Sequence, residues 1–271
     1  MIKTRKTQKV VLVTGCSSGL GKSIAEYLSA KDYKVFAGIR TLDKDLINEW
    51  KIKYPSIHSV KLDITSNSEC EEAVRNIIKK EKRLDVVINN AGYAIFGPMQ
   101  EFSDTDFLKL LNTNVVGAFR LIRLTSEYMR KQKYGKIINI TSFCGRIALP
   151  NFSLYCASKF ALEAMGEALY YEFAKDNIQV STIAPGAMVK TKDVDKSGKK
   201  RDWQRDKSFL LRLLMPSLTH ERINKKIHAI IQADLPPKSV LMGYDTNLTF
   251  FLKRILPNAI FDRLMFYVWN K

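Results

Sequence analysis

The 271-residue sequence lacks the marks of several protein classes. It has no run of the roughly 18 apolar residues that a transmembrane helix requires. Its four cysteines form no CxxC pair, and its three histidines are not spaced like the ligands of a metal cage. These residues are Cys16, Cys70, Cys144, Cys156, His58, His220 and His228. We therefore expect no membrane span, no disulfide and no metal site.

The N-terminal segment also lacks the pattern of a signal peptide. Basic residues within positions 1–9 lead directly into the apolar run Val10–Val13, with no small-residue cleavage site before the glycines that follow. We expect a cytoplasmic protein. Its length lies within the range of one large α/β domain, and its 46% hydrophobic residues suffice for a sizeable core.

Acidic residues are scarce, and the net charge is +17. Residues 192–271 alone hold 16 Lys and Arg against 8 Asp and Glu. Such a charge favours anionic partners, but no nucleic-acid-binding module is recognisable, so we expect no specific nucleic acid. The apolar and basic tail Phe250–Trp269 fits a peripheral membrane contact or a helix docked on the domain or on a second subunit.

Short apolar runs alternate with helical patterns along the chain. The predicted strands are Val10–Thr14, Lys34–Ile39, Ile57–Leu62, Val86–Asn89, Lys136–Thr141, Gln179–Ala184 and Ser239–Gly243. This alternation predicts an α/β fold with a doubly wound parallel sheet and helices on both faces. Ligands of such sheets bind at the carboxyl ends of the strands.

The first predicted strand runs into a glycine-rich segment, Thr14-Gly15-Cys16-Ser17-Ser18-Gly19-Leu20-Gly21. Gly15 permits a tight turn, Gly19 allows the backbone to approach a pyrophosphate, and Gly21 allows close packing. The helix that follows offers free N–H groups to an anion. The spacing differs from GxGxxG, and a tight strand-to-helix connection without a ligand is the alternative reading.

Tyr155 and Lys159 lie four residues apart in a segment that reads as the start of a helix. Residues at this spacing share one helix face. A free phenol titrates near about 10, so the charge of Lys159 would favour the phenolate and make Tyr155 a proton-transfer group. The alternative reading is a core tyrosine beside a solvated lysine.

Further motifs occur in the same order along the chain. They are Asn89-Asn90-Ala91-Gly92, Asn114, Ser142 at the end of a strand, and Pro185-Gly186. With the glycine-rich segment and Tyr155/Lys159, they make the chain resemble the short-chain dehydrogenase/reductases over nearly its whole length. The resemblance implies one Rossmann-fold domain over residues 1–271. Residues 1–190 would form the cofactor-binding and catalytic core, and 191–271 the substrate loop, last strand and helical tail.

The resemblance also implies roles for individual residues. Tyr155 would be the acid/base, Ser142 would bind the substrate oxygen, Lys159 would hold the nicotinamide ribose and lower the tyrosine pKa, and Asn114 would hold a water linking Lys159 to solvent. When each residue is considered by itself, the alternative for Ser142 is a strand-end cap, and the alternative for Asn114 is a polar residue within a helix. The implied cofactor-binding residues are Gly15, Ser17, Ser18, Gly19, Leu20, Gly21, Arg40, Asp63, Ile64, Asn90, Ala91, Gly92, Tyr155, Lys159, Pro185, Gly186 and Thr191.

The end of the second strand bears on cofactor choice. Ala37-Gly38-Ile39-Arg40 has no carboxylate, whereas an acidic residue there would bind ribose hydroxyls and repel a 2′-phosphate. The Arg40 guanidinium is suited to bind that phosphate, with Ser17 as a further donor. We therefore expect NADP(H), with NAD(H) as the less favoured cofactor; the alternative is that Arg40 is an ordinary surface arginine. Asp63 resembles an adenine-contacting aspartate, with a helix-start role as its alternative, although Thr65 or Ser66 fits a cap better.

Substrate identity lies in the C-terminal third. The segment that usually covers the substrate in this family contains apolar residues here, namely Trp203, Phe209, Leu210, Leu211, Leu213, Leu214 and Met215. The alternative is that they form a helix packed on the core. Phe96, Phe143 and Leu149 would add an apolar wall. We expect an apolar carbonyl or alcohol substrate such as a lipid, steroid, retinoid or long-chain compound, and the last strand and tail look like the hydroxysteroid/retinol dehydrogenase branch. The resemblance also implies a homodimer or homotetramer. The alternative function is a non-catalytic NADP(H) sensor or scaffold.

Overall fold

The structure is a computed structural model that describes residues 8–186, 188, 194–195 and 218–269. Seven parallel strands form the main sheet. Its strands and the short pair β5 and β8 are β1 Val10–Thr14, β2 Lys34–Ile39, β3 Ile57–Lys61, β4 Val86–Asn89, β5 Ile95–Phe96, β6 Gly135–Ile140, β7 Ile178–Pro185, β8 Val194–Asp195 and β9 Ser239–Met242.

Helices connect most of these strands. The α-helices in the described part are α1 Gly19–Ser29, α2 Lys44–Lys53, α3 Asn67–Glu81, α4 Asp104–Leu111, α5 Gly117–Gln132, α6 Ser153–Glu172, α7 His220–Gln232, α8 Tyr244–Ile255 and α9 Asn258–Trp269. A five-residue π-helical turn, Asn112–Val116, lies between α4 and α5. None of the described helices is long and apolar enough to cross a membrane.

The strand order in the main sheet is β3-β2-β1-β4-β6-β7-β9. The chain winds outward from β1 to β3 and then returns to the other side of β1 with β4. The reversal therefore lies between β1 and β4, and ligands of open α/β sheets bind in the crevice at this point.

The sheet is covered on both faces. Alternate residues of β1 point to opposite sides, so Val11 and Val13 enter one core while Val10 and Leu12 enter the other. Helices α1, α2 and α7 pack on the first face, and α3, α5 and α6 pack on the second. The doubly wound parallel sheet predicted from the sequence is confirmed.

All seven predicted strands are present, with ends that differ by at most one residue. The two-residue strands β5 and β8 were not predicted, because two residues carry no periodic signal. They pair with each other, Ile95 with Val194 and Phe96 with Asp195. The predicted tail forms α8 and α9 in the described part of the C-terminal region.

Candidate active site

The glycine-rich turn joins β1 to α1. Gly15 and Gly19 have φ angles of +71° and +60°, which favour glycine. A Cβ on Gly15 would lie 2.9 Å from the Cα of Ala91, whereas nothing lies within 4 Å of the position of a Cβ on Gly19. A glycine at position 15 therefore lets the turn lie close to the loop that follows β4, whereas Gly19 borders open space. The predicted pyrophosphate cradle fits this geometry.

The N-terminus of α1 is available to an anion. The Ser18 side chain does not cap the helix, and its first turn contains no acidic residue. By contrast, Asp43 caps α2 and Ser66 caps α3 through side-chain acceptors. The N–H groups and dipole of α1 therefore suit a bound phosphate group. Ser17 is exposed in the turn, and Leu20 is buried beneath it.

Thr14 ties the turn to the loop after β4. Its hydroxyl oxygen accepts hydrogen bonds from the backbone N–H of Asn90, at 3.0 Å, and of Ala91, at 2.9 Å. The Asn90 amide donates to the Thr14 carbonyl over 2.9 Å. Sequence reasoning named Asn90 and Ala91 but gave Thr14 no role, since a threonine at the end of a strand is unremarkable by itself.

Arg40 and Asp63 lie beyond the ends of β2 and β3. Burial tends to raise the pKa of Asp63, but hydrogen bonds from Thr65 and the charges of Arg40 and Arg120 outweigh it and lower that pKa. Arg40 is exposed. Ile64 is buried against Gly117, so its side chain belongs to the core. Of the two residues predicted as a helix cap, Thr65 and Ser66, it is Ser66 that caps α3.

Asn114 is buried in the π-helical turn before α5. Its side-chain oxygen accepts from the Tyr93 N–H over 3.0 Å, and its amide donates to the Tyr93 carbonyl, at 2.9 Å, and to the Ser158 hydroxyl, at 3.1 Å. A Cβ on Gly92 would lie 2.9 Å from the Asn114 side-chain oxygen and 3.6 Å from the Lys159 Nζ. Gly92 therefore lets the β4 loop, Asn114 and Lys159 meet.

Ser142 follows β6 and caps a short helical turn, Phe143–Gly145. We call residues 142–145 the Ser142 turn. The Ser142 hydroxyl accepts from the Cys144 N–H over 3.2 Å. The capping role considered for Ser142 is therefore present. It uses the hydroxyl oxygen as an acceptor and leaves the hydroxyl proton for another partner.

Tyr155 and Lys159 lie in the first two turns of α6 and face the Ser142 turn. Lys159 Nζ lies 5.7 Å from the centre of the Tyr155 ring and donates to the Ile140 carbonyl over 3.2 Å. Lys159 is only 5% exposed, and burial lowers its pKa to about 8, although Cys144 and Glu163 act in the opposite direction. Tyr155 is half-buried. An ammonium and a phenol thus share one partly dry site.

The end of β7 supplies the predicted Pro185-Gly186. The Gly186 N–H donates to the Met242 carbonyl of β9 over 2.7 Å, which fixes this strand end beside the last strand. Thr191 lies outside the described residues. So do the predicted substrate-covering residues from Trp203 to Met215.

An apolar cluster adjoins Tyr155. Its buried members and the residues packed on them are Phe96, Cys144, Phe152, Cys156, Leu149 and Tyr155. The Phe96 and Phe152 rings stack with centres 5.8 Å apart, and the Phe152 ring meets Tyr155 edge-on at 6.4 Å. Two of the predicted wall residues, Phe96 and Leu149, therefore belong to the surroundings of Tyr155, and Phe143 is half-buried in the Ser142 turn.

Comparisons with known proteins identify the family of the chain. The sequence model of the family described as short chain dehydrogenase matches residues 9–202. A 3-ketodihydrosphingosine reductase of Bacteroides thetaiotaomicron is 34% identical over 66% of this chain, and the alignment spans 63% of that protein. A probable short-chain type dehydrogenase/reductase of Helicobacter pylori is 28% identical over 94% of this chain and 96% of its own length.

Solved structures show the same fold. A short-chain dehydrogenase from Streptomyces avermitilis superposes with a TM-score of 0.80 at 26% identity, covering 97% of this chain and 96% of that one. ElxO, solved with NADP bound, gives 0.76 at 28% identity over 86% of this chain and 96% of its own. Because the family model matches well over half of the sequence, the protein belongs to the short-chain dehydrogenase family of oxidoreductases.

Proposed function

We propose that the protein is an NADP(H)-dependent oxidoreductase that interconverts a carbonyl and an alcohol on a small apolar substrate, with Tyr155 as acid/base. The observation that carries this proposal is the meeting of Tyr155 with the buried Lys159 at the carboxyl edge of the sheet. The glycine-rich turn adjoins the same edge through Ala91 and Gly92.

Each residue has a step to perform in the reductive direction. Tyr155 donates a proton to the substrate oxygen, and the Lys159 ammonium stabilises the phenolate that remains. Ser142 donates its hydroxyl proton to the same oxygen, since its own oxygen already accepts from Cys144. The nicotinamide cofactor, when bound, supplies or accepts the hydride.

Return of the proton to Tyr155 involves Asn114. Both N–H donors of its side-chain amide are committed, to Tyr93 and Ser158, so a water held here would donate to an Asn114 acceptor, such as the backbone carbonyl in the π-helical turn. Such irregular turns occur frequently at functional sites. We infer that this water connects Lys159 to solvent.

The preference for NADP(H) is supported by the end of β2. Arg40 is exposed there, and the nearest following carboxylate, Asp43, is turned into α2, where it accepts from the N–H groups of Asp45 and Leu46. No carboxylate of this segment is thus directed at a ribose. ElxO was solved with NADP and, as a tyrosine-to-phenylalanine variant, with NADPH, and it is similar to this chain at 28% identity.

The apolar cluster beside Tyr155 supports an apolar substrate. The names of two relatives point to different substrates, 3-ketodihydrosphingosine and D-beta-hydroxybutyrate, so they do not decide the class. The stacked rings of Phe96 and Phe152 next to the proton donor favour an aliphatic or aromatic substituent on the reacting carbon. We expect a lipid, steroid, retinoid or long-chain carbonyl.

Helix α8 supports association with a second copy of the chain. One stripe of it is exposed and apolar, with Tyr244, Leu248, Phe251 and Ile255 at helical spacing and Phe251 57% exposed. Members of this family act on carbonyl or alcohol substrates and are commonly oligomeric, so we propose a cytoplasmic homodimer or homotetramer. Peripheral membrane contact is the alternative, and light scattering combined with vesicle flotation would separate the two.

The proposal is tested by following NADPH oxidation over a panel of apolar ketones and aldehydes, with polar ketones as the comparison. We expect turnover with apolar members, weaker turnover with NADH, and none in Tyr155→Phe. Binding of NADPH without turnover of any carbonyl would instead favour the sensor or scaffold function.

A further inference from the structure

Glu163 is a buried carboxylate one helical turn beyond Lys159 on α6, and the mechanism above does not use it. It is only 7% exposed. A buried carboxylate is costly unless hydrogen bonds and an opposite charge compensate for lost hydration. Its partners therefore indicate what it does.

Three side chains compensate the Glu163 charge. The Arg146 guanidinium lies 2.7 Å from one carboxylate oxygen, the Thr182 hydroxyl donates over 3.1 Å, and the Thr141 hydroxyl also donates. Thr141 directly precedes Ser142, and Arg146 directly follows the Ser142 turn. One carboxylate thus holds both ends of that turn against α6.

The turn packs tightly on α6 at this point. A Cβ on Gly145 would lie 2.9 Å from the Lys159 carbonyl oxygen and 3.0 Å from Glu163 Cγ. Arg146 also contacts the Ser239 hydroxyl of β9. The position of Ser142 relative to Tyr155 therefore depends on contacts that centre on Glu163.

Glu163 also acts on Lys159 through its charge. The titratable groups around Lys159 are Tyr155 and Glu163 on α6 and Cys144 from the Ser142 turn, and Arg146 faces Glu163. Burial lowers the pKa of Lys159 to about 8, and the charges of Cys144 and Glu163 oppose that change. Without the Glu163 charge, the ammonium would be lost at lower pH.

We propose that Glu163 is a positioning residue for the reaction, because its carboxylate fixes the Ser142 turn against α6 and places a negative charge one helical turn from Lys159. This inference rests on the proposed function, since it assigns Glu163 a part in the same site.

Glu163→Gln is the direct test, because it keeps the shape of the side chain and removes its charge. In the reductive direction, the alkaline limb of kcat should move to lower pH by roughly one unit. At a pH above the limb, kcat of Glu163→Gln should therefore be about tenfold lower than that of wild-type protein. The reason is that a displacement of one pH unit changes the protonated fraction of Lys159 about tenfold there. Glu167→Gln is the matched control: Glu167 lies one turn further along α6, is exposed, and pairs with Lys238. It should leave the limb in place.

Arg146→Gln gives a result of opposite sign, and it keeps the inference testable if Glu163→Gln does not fold. Loss of the guanidinium leaves the Glu163 charge less compensated, so the limb should move to higher pH. A purely structural role of Glu163 would lower kcat in both variants without opposite displacements of the limb.

The Lys159 titration can also be read without turnover, from the Cε resonance of ¹³C-labelled lysine in the protein alone, assigned through Lys159→Arg. If wild-type protein turns over no carbonyl, the proposed function fails while this titration still tests the inference. An unchanged Lys159 titration in both Glu163→Gln and Arg146→Gln would overturn it.

Discussion

Lys159 and Lys136 are both buried, and burial lowers the pKa of each to about 8. Lys136 is the second residue of β6, at the amino edge of the sheet, where its ammonium donates to the Ile230 carbonyl over 3.1 Å and to the Ala233 carbonyl. Lys159 lies at the carboxyl edge, near the Tyr155 ring. The two lysines share a perturbed pKa and differ in their surroundings.

The same lowered pKa has a different significance at the two lysines. The carbonyls that Lys136 binds lie at the C-terminal end of α7, whose dipole favours a positive charge, so this lysine has a structural explanation. Lys159 lies where parallel strands expose their carboxyl ends, together with Tyr155 and the Ser142 turn. Burial explains the lowered pKa in both cases. What marks Lys159, and not Lys136, as part of a functional site is its position at the carboxyl ends of the strands.

The largest expected effect is a difference in turnover between variants of the two lysines. Lys159→Met should lower kcat/KM by about 10²–10⁴-fold, the range for loss of acid–base assistance. Lys136→Met should leave turnover of the folded protein unchanged, because its ammonium binds carbonyls at the C-terminal end of α7. Steady-state NADPH oxidation at pH 7 measures both, and an equal loss in the two variants would contradict the comparison.

Cofactor preference gives the next effect, also at the carboxyl edge. Arg40→Ala should raise the KM for NADPH by about 10–100-fold, since a hydrogen bond to a charged group contributes about 1.5–3 kcal/mol. The KM for NADH should not change. Arg75→Ala, an exposed arginine on α3, is the control. If both variants respond alike, general surface charge rather than Arg40 selects the cofactor.

Stability should respond in the opposite direction to turnover at Lys159. Replacing this buried ammonium by Met should raise the free energy of unfolding by about 1–3 kcal/mol at pH 7. The native protein releases the Lys159 proton near pH 8, whereas the unfolded chain holds it to about 10.5, so wild-type protein gains stability over this interval. The difference between the two proteins should therefore narrow from pH 8 to 10. Urea unfolding at each pH measures it, and a constant difference would count against a charged, buried Lys159.

The smallest expected effect is a change in stability at the amino ends of the strands. Lys9 Nζ lies 3.2 Å from the Tyr134 hydroxyl and 3.3 Å from the Ile231 carbonyl, and it is only half-buried. Lys9→Met should lower the free energy of unfolding by no more than about 1 kcal/mol and leave turnover unchanged. A loss of turnover in folded Lys9→Met would mean that the amino edge takes part in function.

Sequence reasoning succeeded where the signal is local. Strand ends were predicted within one residue because apolar runs and glycines mark them, and the Tyr155/Lys159 pair follows from helical spacing. It missed the π-helical turn around Asn114, because one added residue per turn does not disturb the surrounding helical pattern enough to be seen.

Features that depend on distant parts of the chain could not be predicted. Glu163 reads as an ordinary charged helix residue until Thr141 and Arg146 are brought to it by the β6 connection. Likewise, Lys136 is buried by a helix end 94 residues further along. Local patterns carry no information on such partners, so burial of a charge is visible only in the folded chain.

The role of Tyr155 as acid/base is best tested by measuring NADPH affinity and ketone turnover in the same preparation of Tyr155→Phe. Tyr155→Phe should still bind NADPH, because the glycine-rich turn, Arg40 and Lys159 are untouched, while turnover is lost. Turnover that persists at the wild-type rate in Tyr155→Phe would contradict Tyr155 as the acid/base.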